Sequence, residues 1–108
     1  MQHPSIRTLT GAQPTTRLDP ATTALIAIDF QNEYFDGRMP IPDGLPALRQ
    51  ARRLIDAADR HAVPVFHVQH LAPADSPIFA QDSAAFDIHP ELRPDARHAV
   101  LTLSLIHI

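Results

Sequence analysis

The chain has 108 residues, which is one domain's worth, with 44% hydrophobic and 19% charged residues, so composition does not make it disordered. A net charge of -3 supplies no general field for nucleic acid or an anionic membrane. There is no Cys, and all nine basic residues are Arg, so disulfides, thiolate nucleophiles, Cys-bound metals and lysine amines are all missing from these residues.

Residues 1–20 hold Pro4, Gly11, Pro14 and Pro20 and read as an extended arm. They lack the apolar h-region of a secretory signal, and a cytoplasmic protein is expected. Residues 24–28 form a continuous apolar run ending in Asp29, too short to cross a bilayer and suited to a strand buried on both faces of a parallel sheet. Asp36-Gly37, Pro40 and Pro42 then interrupt regular structure. From Pro46, Leu48, Ala51, Leu54, Ile55 and Ala58 recur at helical spacing, with Arg49, Arg52, Arg53, Asp56, Asp59 and Arg60 opposite. This predicts an amphipathic helix over 46–60 with an Asp56–Arg60 pair. Residues 63–69 predict a second strand, Pro64 falling at its start. Strand, helix and strand make a βαβ unit with parallel strands. Burial of Ile26, Leu48, Ile55 and Val65 is expected to drive its packing. Residues 71–97, rich in Pro, read as a long loop with one helical turn, and a third strand starts near Ala99.

Asp29 is the sharpest chemical candidate. A carboxylate ending an apolar strand projects at the carboxyl edge of the sheet, where open α/β sheets bind ligands. It could equally cap the following turn. His67 and His70 are spaced i, i+3, which on a strand sends them to opposite faces rather than to a shared metal. His70 falls at the strand's end and is expected near Asp29. Phe30, Tyr34 and Phe35 either line a pocket above the strand or pack in the core. The Arg-rich helix face reads as solvated, and Gly11, Gly37 and Gly44 are too scattered for a phosphate loop.

Leu25-Ile26-Ala27-Ile28-Asp29-Phe30-Gln31-Asn32-Glu33-Tyr34-Phe35 resembles the opening motif of the isochorismatase-like cysteine hydrolases, an apolar strand followed by Asp, an apolar residue, Gln, Asn or Asp, and an aromatic. Val63-Pro64-Val65-Phe66-His67-Val68 is similar to that family's second strand. His89-Pro90-Glu91-Leu92-Arg93-Pro94 is similar to the segment before its third. The likeness covers residues 22–102. It implies a three-layer α/β sandwich with a parallel sheet, here incomplete: the N-terminal βαβ unit plus the start of a third strand. It implies an Asp–Lys–Cys triad with Asp29 as the acid/base, and a hydrolase acting on a small amide, imide or related substrate. Phe35 and His70 are then expected to bind substrate. No cofactor is expected, no nucleic-acid or membrane partner, and a homo-oligomer for the full-length form.

The chain also departs from the family pattern. Leu103 stands where the Lys is expected, and no Cys occurs. Leu103-Ser104-Leu105-Ile106-His107-Ile108 resembles the translation of a transposon-type sequencing adapter, CTG TCT CTT ATA CAC ATC; a genuine apolar strand end is the alternative. The expected organisation is an arm at 1–20, the N-terminal part of the hydrolase domain at 21–102 and a non-native tail at 103–108. These residues alone are expected to be inactive. His70 falls where the nicotinamidase branch carries an Asp metal ligand, and no His follows two residues on, so no metal site is expected. A flavodoxin-like binding or signalling domain with Asp29 at the sheet edge, or a non-catalytic interaction module, is the alternative. Signalling domains need further acidic residues at another strand's end, where Gln69-His70 stands here.

Overall fold

The computed structural model describes residues 4–13 and 16–104. Three parallel strands form one sheet in the order β1-β2-β3: β1 is Leu25–Ile28, β2 is Val65–Leu71 and β3 is Ala99–Ser104. Leu25 is in register with Val65 and Ile28 with Val68; on the other side Phe66 is in register with Ala99 and Leu71 with Ser104. The expected parallel βαβ unit is therefore present, with boundaries shifted by one or two residues. Leu103 and Ser104, the first two residues of the expected tail, continue β3, whereas 105–108 lie outside the described residues.

The crossover is α2, Gly44–Arg60, which starts two residues before Pro46. It ends in a Schellman arrangement. Ala62 is left-handed at φ 57°, the Val63 N–H donates to the Ala58 carbonyl (2.8 Å), and the Ala62 N–H donates to that of Asp59 (3.4 Å). Leu48, Ile55 and Ala58 of α2 pack on Ala27 and Val65, and Leu92 completes this core from a 3₁₀ turn at Pro90–Leu92. Each large apolar side chain buried here contributes about 1.5–3 kcal/mol.

Strand β1 is buried on one face only. Period-two alternation sends Ala27 toward α2 and Ile26 and Ile28 the other way, where they are 56% and 58% exposed. The expected burial of Ile26 is thus overturned, because no described element lies over that face.

Two further expectations change. The 1–20 arm contains a one-turn helix, α1 (Ile6–Leu9), because the Ser5 hydroxyl accepts the Thr8 N–H at 3.1 Å; none of its residues is buried. Asp56 pairs with Arg52 rather than Arg60: two Arg52 nitrogens reach Asp56 Oδ1 (2.7 and 3.1 Å) while the third donates to the Glu91 carbonyl at 3.4 Å, which turns the guanidinium toward both.

Candidate active site

The carboxyl edge of the sheet is built where β1 runs out. The Asp29 N–H still donates to the Val68 carbonyl (2.8 Å), so the ladder reaches one residue past Ile28. Asp29 then turns left-handed, φ 65°, a conformation an Asp tolerates better than most residues. Its Oδ2 meets Nε2 of His70 at 3.0 Å, and the two side chains are about one-fifth exposed, 22% and 21%. The remaining polar atom of each, Asp29 Oδ1 and His70 Nδ1, is buried with no hydrogen-bond partner. With Nε2–H donating to the carboxylate, Nδ1 is the remaining hydrogen-bonding position of the ring. Buried polar atoms are nearly always paired, so two orphans on one Asp–His contact set this edge apart from the packed core.

Gln31 fixes that pair from behind. It is fully buried; its Oε1 accepts the His70 N–H and its Nε2 donates to the His70 and Phe86 carbonyls, all at 2.8 Å. A side-chain amide here does what a neighbouring strand would do, satisfying both backbone groups of His70 where β1 has ended. Glu33 is 1% exposed: its two oxygens accept the Arg38 N–H (2.6 Å) and the Phe79 N–H (2.8 Å).

Two aromatics lie around the pair. Phe79 sits 5.7 Å from the His70 ring and edge-on to Tyr34 at 5.3 Å. Burial first, then the negative charges of Asp29 and Glu33, raise the Tyr34 phenol above its ordinary 10.0, so it stays protonated. Phe35, expected here, turns instead to the base of α2. Its ring lies edge-on to His89 at 4.9 Å and against Gly44. Gln31, Glu33 and Phe79 were not singled out from sequence. The first two are visible there only as polar residues in an otherwise apolar motif, and Phe79 carries no local signal.

His67 and His70 face opposite ways, as strand geometry requires. His67, 1% exposed, points toward α2 and joins a chain of hydrogen bonds from its Nε2 to His98 Nδ1 (3.2 Å) and from His98 Nε2 to Asp59 Oδ1 (2.9 Å). Among the described residues no group of three or more His, Asp or Glu could hold a metal ion. No helix among them is long and apolar enough to cross a membrane. An apolar groove of about 260 Å³ lined by Leu18, Pro20, Leu25, Leu54, Ala58 and Val63 opens at the other end of β1, away from Asp29.

This architecture, a parallel sheet crossed by a helix with an acidic residue at its carboxyl edge, is that of an α/β protein. The model of the isochorismatase domain matches residues 23–104, and the chain belongs to the isochorismatase family. An isochorismatase homologue from Burkholderia xenovorans LB400 is 45% identical, over 76% of this chain and 40% of its own, with a TM-score of 0.71. An isochorismatase from Pseudomonas putida KT2440 superposes with a TM-score of 0.83 at 27% identity, over 95% of this chain and 52% of its own. N-carbamoylsarcosine amidase from Thermoplasma acidophilum is 26% identical over 74% of this chain and 50% of its own, with a TM-score of 0.67. The chain spans about half the length of the curated relatives it matches, 46% and 51%.

Proposed function

We propose that residues 21–102 carry the Asp-bearing part of an isochorismatase-like cysteine hydrolase that acts on a small amide, imide or related substrate, with Asp29 as its acid/base. The observation that supports this most directly is the state of that carboxylate. One oxygen is held by His70 and the other is buried with no partner, so it has a free lone pair in a fixed direction. The similarity to an amidase supports the amide class.

In such a reaction a thiolate attacks the carbonyl carbon, and the C–N bond breaks as the nitrogen takes up a proton. Water then cleaves the thioester to acid and free thiol. Asp29 Oδ1 accepts the thiol proton and returns it to the leaving nitrogen. His70 keeps the carboxylate oriented through Oδ2, and its Nδ1 accepts an N–H of the substrate. A thiol with an ordinary pKa of about 8.5 needs a nearby base or cation to become a thiolate at neutral pH. These 108 residues contain neither Cys nor Lys, so this route is closed to them by themselves.

The test is made on the protein translated from its uninterrupted genomic reading frame. Asp29→Asn is expected to lower turnover of small amides by about 10²–10⁴ while leaving the melting temperature in place. Near-normal turnover in that variant overturns the assignment.

A further inference from the structure

Glu33 is a buried carboxylate that the chemistry above does not use. A buried charge is tolerated only when its lone pairs are filled, and here both oxygens are taken by backbone donors from two separate segments. Arg38 N–H belongs to the turn that follows Glu33; Phe79 N–H comes from 46 residues further along the chain. The Glu33 backbone is tied to the same distant loop, its N–H donating to the Ala85 carbonyl at 2.9 Å. Gly37 lets the turn close: a Cβ there would lie 2.5 Å from Glu33 Cα.

What the carboxylate holds is unusual. Phe79 is 3% exposed and left-handed, φ 50°, a conformation that a bulky side chain resists and that survives only when its surroundings enforce it. Glu33 fixes its N–H, and its carbonyl accepts the N–H of Ala72, the residue immediately after β2, at 2.9 Å. Held at both ends, the ring stands against His70 on one side and Tyr34 on the other. His70 is in turn the residue whose Nε2 meets Asp29.

We propose that Glu33 is a positioning residue for the Asp29–His70 pair, acting through Phe79: its carboxylate enforces the left-handed Phe79 whose ring sets the imidazole. This rests on the reading of Asp29 as the catalytic carboxylate. A loop staple alone would support folding without governing where the His70 ring sits or how fast bound substrate reacts.

The experiment compares Glu33→Gln and Phe79→Leu with the parent, in the protein translated from its uninterrupted genomic frame. Glu33→Gln keeps the size of the side chain but turns an amide NH₂ toward one of the two backbone donors. Three readouts are taken: thermal melting, the imidazole C–H resonances of His70, which feel the ring current of Phe79, and kcat and KM on a panel of small amides. The folded Glu33→Gln variant is expected to shift the His70 resonances; Phe79→Leu removes the ring current itself and gives the reference for its complete loss. Both variants should lose about 10- to 100-fold in kcat/KM, the size expected when a reacting group is displaced by about an ångström. A folded Glu33→Gln protein with the parent's His70 resonances and kcat/KM overturns the proposal. If Glu33→Gln does not fold, Phe79→Leu decides: the parent's kcat/KM in that folded variant overturns it, and a loss of about 10- to 100-fold in kcat/KM supports it. Asp29→Asn serves as the control. Full turnover there removes the catalytic reading, whereas the His70 resonances of Glu33→Gln still report whether Glu33 holds the ring.

Discussion

Two histidines three residues apart on β2 are each linked to an aspartate, His70 directly and His67 through His98, and the two arrangements differ in how completely they are satisfied. On the helix side, His67, His98 and Asp59 form a closed chain: His67 is 1% exposed, the His98 side chain 2%, and Arg97 approaches Asp59 at 3.5 Å from the solvent side. The Asp95 N–H donates to His98 Nδ1 at 3.1 Å, so that nitrogen is an acceptor and Nε2–H points at Asp59. On the edge side, His70 and Asp29 make a single 3.0 Å contact and leave an orphan on each partner. Similar chemistry on one strand is therefore filled in one direction and left partly unfilled in the other. Burial alone does not separate the two; the count of unfilled hydrogen-bonding positions does.

The two aspartates should differ most when each is removed. Asp29→Asn is expected to reduce turnover of the full-frame protein by about 10²–10⁴ with little change in melting. Asp59→Ala is expected to do the reverse. It strands the buried His98 Nε2–H, so unfolding in denaturant should show a loss of about 1–3 kcal/mol, with kcat per folded molecule intact. Equal effects on turnover would erase the distinction.

Acid sharpens it further. Burial, then the charges of His98 and Arg52, lower the His67 value from its ordinary 6.5, with Asp59 opposing. Above about 6.5 the ring is neutral in both folded and unfolded chains and pH has no effect through it. As pH falls below that, the unfolded chain takes up a proton that the folded chain refuses, so stability drops until the folded-state value is passed. Denaturation midpoints measured from pH 7 downward should show this fall, and His67→Gln should flatten it.

The smallest effect concerns Tyr34, the only tyrosine in the chain. Its phenolate absorbance should appear above pH 10.0, and Asp29→Asn should move it back part of the way, since the Asp29 charge is the second cause after burial. An unchanged titration curve in that variant would place the phenol out of reach of the carboxylate.

Much of the frame was legible before any coordinates. The apolar run ending at Asp29, the helical period from Leu48 to Ala58 and the Val-rich second strand each carry their own local signal, and all three elements formed with the pairing they implied. The opposite facing of His67 and His70 followed from strand period alone. The site was only partly legible. Asp29 and His70 were named because strand ends are predictable, but Phe35 was placed with them for its position in the motif. In the fold it packs under α2, while Phe79 stands beside His70.

Short-range physics is written in the residues themselves: periods of 2 and 3.6, proline boundaries, and an acidic residue at the end of an apolar strand. Which side chains complete one another across the chain emerges only once it has folded. Gln31 finds the His70 backbone 39 residues away, and Glu33 finds Phe79 46 residues away. Such partners depend on sheet register and on the path of the 72–98 loop, both set by long-range packing. The same is true of the open face of β1. Its composition suits burial on both sides, but a single crossover helix covers only one.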